Sequence, residues 1–480
     1  MSTFETDYLV IGAGATGLAF ADTLLQQSDA HITLVDRHAQ PGGHWNEAYP
    51  FVALHQPSAF YGVNSLELGS RRKDTAGPNA GFYELATGAE VSGYFHRVMH
   101  QQLLPSGRVR YLPMTETVGQ QDGSAGNVVQ VRSLLSGAVS TVHLRRKRVD
   151  ASHFSPRVPA TSPPRYRVEA GVRLVTPTQL TQLWLDKGER PTNYCILGGG
   201  KTAMDVGVWL LNCGAPPEAV HWVVPRDSWV INRLTTQPGE EFFEQSIGGQ
   251  VQQMKALADA SSVDDLFLRL EASGQMMRID RSRMPGMFHY ATLSEGEVQC
   301  LRQITQVIRQ GRVQAVNAQG LVLDHGRADL PPGTLYIDCT ASAVEPRASM
   351  PIFQPGLVVP QLLRVPLVSL SAALCAYVEA RYDSDEIKNG LCSPVPFPRN
   401  PGGYVQATLV SLGNQVRFSQ DKALRQWMRD SRLDGFGKMT AEVAPTDEPR
   451  RALLAALREQ GSAALANAPR LMVSAQAAAD

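Results

Sequence analysis

Apolar residues near the start of the chain gather in a short continuous run, Asp7 to Ile11, that gives way to glycines and then to the helical spacing of Leu18 to Leu25. A second run, His31 to Val35, follows, so the pattern predicts strand, helix, strand. The same grammar returns at Tyr194 to Leu197, Met204 to Leu211 and Ala219 to Val224. Between the two units, Val91 to Leu103 reads as an amphipathic helix, and Gly107 to Leu112, Asn127 to Leu134 and Val139 to Val149 read as strands. The Pro-rich stretch Ser155 to Arg165 predicts a linker. Later, Val251 to Ala258, Val263 to Leu270 and Gly296 to Ile308 have helical spacing inside an insertion spanning 234 to 310, and Leu335 to Ala341 is a hydrophobic strand ending in small residues. Arg450 to Glu459 and Ala463 to Ala479 are alanine-rich and predict a peripheral helix or frayed tail.

Composition narrows the class of partner. Of 480 residues, 43% are hydrophobic and 19% charged, enough to bury a large core. Lys plus Arg equals Asp plus Glu at 45 each, so no excess charge draws the chain to nucleic acid or an anionic membrane, and a small molecule is the expected partner. The N-terminus lacks a basic cluster, and the longest apolar stretch, Leu362 to Tyr377, is interrupted by Arg364 and Pro366. With no transmembrane anchor expected, a soluble cytoplasmic protein is, and a homo-oligomer is compatible with the sequence. Six scattered cysteines form no C-x-x-C pair and no zinc spacing, so no metal is expected.

The first strand runs into Gly12-Ala13-Gly14-Ala15-Thr16-Gly17. Glycine at these three positions permits a tight turn, close approach of a diphosphate and close helix–strand packing, while the helix N-terminus offers free N–H groups. Asp36, flanked by Arg37, ends the second strand where a carboxylate accepts from a ribose diol. The second unit carries Gly198-Gly199-Gly200-Lys201-Thr202-Ala203, and its second strand ends in Pro225-Arg226 instead of an acid, which favours NADPH because a guanidinium pairs with a 2′-phosphate. Gly200-Lys201-Thr202 is not a P-loop, since the glycine that motif requires falls on Cys195.

Gly42-Gly43-His44-Trp45 after the first motif, Arg226-Asp227-Ser228-Trp229-Val230 with Arg233 after the second, and Val63-Asn64-Ser65, with Asn64 19 positions beyond Trp45, are similar to segments of flavin-containing and Baeyer–Villiger monooxygenases. That resemblance implies an α/β fold of two Rossmann-like dinucleotide-binding domains. The FAD domain is discontinuous, 1–160 and 335–440; an NAD(P)H domain spans 161–334 with a helical insertion, and a helical tail follows at 441–480. It also implies FAD at the first site and NADPH at the second, with Asn64 beside a flavin C4a-hydroperoxide, and His55, Gln56 and Tyr61 around it. Gln361 would touch the flavin by analogy.

The implied function is oxygenation of a small organic substrate by O2, at nitrogen or sulfur or beside a ketone. The sequence departs from the family at its F-x-G-x-x-x-H fingerprint, where Glu169 and Val175 flank Gly171 in place of the aromatic and the histidine, and at both crossovers, which lack A-T-G. Those departures keep open an FAD oxidase or dehydrogenase that does not use NADPH, and a non-enzymatic flavin-binding protein.

Overall fold

The computed structural model describes residues 2–118, 127–154, 156–185, 190–341 and 347–477. Strand β1 (Ser2–Ile11) is buried over Tyr8 to Val10, as a strand covered on both faces must be. Helix α1 (Ala15–Gln27) returns the chain to β2 (Ile32–Val35), which pairs parallel with β1 in the register Tyr8↔Ile32 and Val10↔Leu34. Helix α2 (Gly88–Arg97), started by a Thr87–Glu90 capping box, leads to β3 (Val109–Leu112) beside β2. An antiparallel arm of β4 (Thr115–Val118) and β5 (Val128–Ser133) feeds β6 (Val139–Asp150), which closes on the other side of β1.

The chain then crosses to β7 (Arg167–Val168), β8 (Leu174–Val175) and the short helix α3 (Pro177–Leu180) before the second unit, β9 (Tyr194–Leu197), α4 (Lys201–Asn212) and β10 (Val220–Val223). The insertion follows as β11 (Ser228–Asn232), α5 (Gly249–Asp259), α6 (Val263–Ala272), β12 (Met276–Met277), β13 (Met287–Leu293) and α7 (Glu295–Leu301). Then come β14 (Gln306–Ile308), a meander of β15 (Val313–Asn317), β16 (Gly320–Leu323) and β17 (Gly326–Asp329), and β18 (Leu335–Asp338). The second sheet is parallel in the order β14-β10-β9-β18-β8. Two expectations need correcting. The insertion is mixed, because β11, β12 and β13 form a sheet of their own, and Gly296 to Ile308 is not one helix: it ends at Leu301 and β14 pairs with β10.

Beyond the second sheet the chain rejoins the first through β19 (Phe353–Gln354) and β20 (Leu357–Val358), β20 pairing parallel with β6. Helix α8 (Val368–Arg381) then packs along α1. The chain continues through α9 (Asp385–Leu391), α10 (Pro401–Gln420), α11 (Lys422–Asp430), α12 (Gly435–Ala441) and α13 (Glu448–Ala477). The last of these is no frayed tail: Ala464, Ala468 and Leu471 are buried in one core with Trp229, Leu257, Phe267 and Tyr404. Among the described residues no helix is long and apolar enough to cross a membrane.

Candidate functional site

At the first glycine loop, Gly12 has φ +100° and its N–H donates to the Val35 carbonyl at 2.8 Å. A Cβ on Gly17 would lie 1.9 Å from the Gly12 carbonyl oxygen, so no other residue fits there. The Gly42 N–H donates to the Ala13 carbonyl at 2.8 Å and lays Gly43 on Gly14, where a Cβ on Gly14 would stand 3.4 Å from the Gly43 Cα. Neither α1 nor α8 has a side-chain N-cap, and at α8 the first N–H donates to the Pro366 carbonyl at 3.1 Å, so α1 is the better-placed helix start for an anion. Gly12, Gly14, Ala15 and Thr16 keep partial exposure, which fits the diphosphate of a dinucleotide. From Thr16 a narrow crevice runs between Phe154, Gln361 and Ser371, with no room even for a water molecule. A flavin ring enters it only if these side chains move.

Around this loop, Asp36 is buried and its Oδ2 accepts from the Ala13 N–H at 2.5 Å, while Oδ1 accepts from the His38 backbone N–H at 2.8 Å and lies 2.7 Å from His38 Nδ1. The hydrogen bond to Asp36 raises the His38 pKa against the opposing effect of burial. Arg37 is exposed and pairs with Glu116 at 3.8 Å. Burial pushes His44 down to about 4, so its ring stays neutral beside Trp45. Trp45 is itself a core residue, donating from Nε1 to the Tyr61 hydroxyl at 2.8 Å. Gln361 is buried and donates to the Met350 carbonyl at 2.8 Å. Asn64 Oδ1 accepts from Ser431 Oγ at 2.9 Å, and neighbouring Ser65 bonds Asp22, two turns along α1. The structure thus gives Asn64 a partner at the C-terminal end of α11.

At the second loop, Gly198 has φ +119° and a Cβ there would stand 2.8 Å from the Cys339 carbonyl oxygen. Gly12 faces the Ala151 carbonyl with more room, where a Cβ would stand 3.6 Å from the carbonyl carbon. Both crossovers turn on one device the sequence reading passed over. Asp150 Oδ1 accepts from Ser152 N–H and Oγ at 3.0 and 2.6 Å, and Asp338 Oδ1 from Thr340 N–H and Oγ1 at 2.9 and 2.7 Å. The signal was visible as Asp-x-Ser and Asp-x-Thr, standing where the family has A-T-G. At the departed fingerprint, Val175 lies in β8, packed against the core of the second sheet.

Helix α4 also starts without a side-chain cap, at Gly200. Lys201 pairs with Asp205, whose other oxygen accepts from the Tyr49 hydroxyl at 2.7 Å, with Thr202 beside the same tyrosine. Arg233 is fully buried and donates to the His55 carbonyl at 2.6 Å, the Thr292 carbonyl at 3.0 Å and Glu297 Oε2 at 2.9 Å. His55 is exposed by surface area, yet the protein crowded around its ring, then the charges of Lys201 and Arg233, lower its pKa below the usual range. Gln56 Nε2 donates to the Phe60 carbonyl at 3.3 Å. His55 thus feels the charges of both Lys201 and Arg233 and takes a hydrogen bond from Arg233 on its carbonyl, with Thr202 and Gln56 next to them in sequence, whereas Asn64 and Gln361 are bonded elsewhere.

A cavity of about 490 Å³ opens where β9, β10 and β14 end, against Gly199, Trp222 and Ser228, the place where parallel sheets of this kind hold their ligands. Arg226 is exposed and is not part of its lining; it stands beside Arg312 and Arg399.

Residues 10–65 match the model of the NAD(P)-binding Rossmann-like domain. "Uncharacterized protein Rv2000" of Mycobacterium tuberculosis (strain ATCC 25618 / H37Rv) is 44% identical over 432 residues, spanning 90% of this chain and 78% of that protein. "Uncharacterized protein Mb2023" of Mycobacterium bovis matches to the same extent. Among solved structures, the open crystal structure of cyclohexanone monooxygenase superposes with a TM-score of 0.50 at 12% identity, over 96% of this chain and 99% of that one. A flavin-containing monooxygenase from Stenotrophomonas maltophilia gives a TM-score of 0.47 at 13% identity, over 79% and 98%. At such identities the likeness concerns the fold.

Proposed function

This chain belongs to the same family as the mycobacterial proteins Rv2000 and Mb2023 and has the two-dinucleotide fold of cyclohexanone monooxygenase; on that premise we propose that it is an FAD-dependent, NADPH-using monooxygenase of a small organic substrate. The observation that carries the reading is the continuous segment from Gly42 to Gln56. One end rests on the first glycine loop, and the other reaches the start of α4 through Tyr49 and His55. Two dinucleotides held by the two loops would face a common cleft.

In this reading the N–H groups of α1 and the Gly12–Gly17 loop would hold the FAD diphosphate, and the one lone pair left on Asp36 Oδ2 would accept from a ribose hydroxyl. Gly198, Gly200, Lys201 and Thr202 hold the NADPH diphosphate. Lys201 would then leave or share Asp205, an exchange that the Tyr49 hydrogen bond to the same carboxylate makes less costly. When bound, the flavin supplies two-electron chemistry toward NADPH and O2. Neutral His55 and Gln56 can donate to or accept from a substrate without adding charge to the cleft. Overall, substrate, O2, NADPH and a proton give oxygenated substrate, NADP⁺ and water.

A second reading, an FAD oxidase or dehydrogenase, is favoured by Val175 standing where the monooxygenase fingerprint has histidine. Turnover with isotope-labelled dioxygen on a cyclic ketone, a thioether and a primary amine separates the two. The monooxygenase reading expects one labelled oxygen atom in the product for each NADPH consumed. Conversion of all the dioxygen to hydrogen peroxide, with no labelled product, sinks it in favour of the second.

A further inference from the structure

We infer that Arg281, on the insertion loop between β12 and β13, reads the 2′-phosphate of NADPH, and that the cavity beside Gly199 holds the adenosine end of that cofactor. The inference rests on the NADPH reading above and deepens it.

The cavity lies at the carboxyl ends of β9, β10 and β14, next to the second glycine loop, so a nucleotide whose diphosphate sits on α4 extends into it. Met204, Trp222 and Leu301 give it an apolar wall suited to a base, and Asp227 and Ser228 stand on the turn from β10 into β11, where a ribose is met. Three guanidinium groups line it, and two are committed. Arg309 donates from Nε and Nη2 to Asp227 at 2.9 and 3.1 Å, and from Nη2 to Asp280 at 2.9 Å. Arg302 donates to the carbonyls of Ile279 and Arg278 at 2.9 and 2.8 Å.

Among the described residues, Arg281 has neither a hydrogen-bond nor an ion-pair partner for its side chain, yet the loop around it is fixed from both sides. Arg302 holds 278 and 279, and Asp280 holds Ser282 through N–H and Oγ at 2.9 and 2.6 Å. With Asp227 and Asp280 set against Arg302 and Arg309, Arg281 leaves the rim one positive charge in excess. A phosphate dianion offers such a guanidinium the paired, charge-assisted bonds that a bare ribose hydroxyl does not. Arg226, the residue the sequence favours for this task, lies outside the lining.

Isothermal titration of the purified full chain with 2′,5′-ADP and with 5′-ADP tests this. Arg281→Ala should weaken 2′,5′-ADP by at least about tenfold and 5′-ADP by less than about twofold, Arg281→Lys should retain part of the preference, and Arg226→Ala should change neither by more than about twofold. The inference is overturned if Arg226→Ala abolishes the preference while Arg281→Ala keeps it, or if a folded Arg281→Ala, checked by circular dichroism, weakens both ligands equally. Failure of the unsubstituted chain to bind either nucleotide is a different result, because it overturns the dinucleotide reading of the second loop as well.

Discussion

Gly17 is the residue at which the first site is least tolerant. The Cβ of Gly17→Ala would press on a backbone carbonyl 1.9 Å away, which cannot rotate aside, so the loop must open. That variant should purify with less than about a tenth of the flavin carried by the unsubstituted chain, measured as flavin per protein by absorbance, a loss of order 1.4 kcal/mol or more in binding. His44 makes a second residue-scale prediction. Folded, it titrates at about 4; an unfolded histidine titrates at about 6.5, so the unfolded chain takes up the proton first as pH falls. Its contribution is full above about pH 6.5 and is lost as pH drops from there toward about 4. Urea midpoints of His44→Gln should therefore fall less steeply over that window than those of the unsubstituted chain; parallel slopes would remove His44 from the account. Sequence revealed the glycines because their steric demand is local. It did not reveal what occupies Asn64 and Trp45, since Ser431 lies 367 residues from one and Tyr61 16 from the other.

At the scale of elements, the β-α-β units were legible because a continuous apolar run followed by helical spacing has few other solutions. The stretch from Gly296 to Ile308 was misread for the same kind of reason. Val298, Leu301 and Ile304 keep helical spacing, but pairing of Gln306–Ile308 with β10 fills the edge of the second sheet and overrides it. The alanine-rich C-terminus is the helix its composition predicts, but not a peripheral one: alanine gives little apolar signal, yet its small side chain lets α13 approach α5 closely, with Ala464 and Ala468 buried. Asn467 on that helix donates to the carbonyls of Leu257 and Ala260 at 2.8 and 2.9 Å, at the C-terminal end of α5. Asn467→Leu should cost about 1–3 kcal/mol in urea unfolding, because it leaves the Leu257 carbonyl unpaired and the Ala260 carbonyl with only the 3.4 Å bond from Arg470. A change below about 0.5 kcal/mol would mean that the contact adds nothing to stability.

Across the whole molecule, the two halves are tied by the 49–55 segment: Tyr49 to Asp205, Phe51 stacked on Trp209 at 4.8 Å, and the His55 carbonyl to Arg233. Arg233→Met leaves Glu297 buried without its partner and should destabilise the chain by about 3–5 kcal/mol, while adding Glu297→Gln should restore part of that. Equal stability of the single and double variants would deny the pair that role. The chain order of these ties was invisible in the sequence, because each joins segments more than 150 residues apart. If one chain brings two dinucleotides together, anaerobic mixing of the purified protein with NADPH should show it. One FAD per chain is expected, with its visible absorption band bleached by NADPH before any oxygen is admitted; a chain that purifies and reconstitutes without flavin, or a bound flavin that NADPH leaves oxidised, would rule out the two-dinucleotide reading.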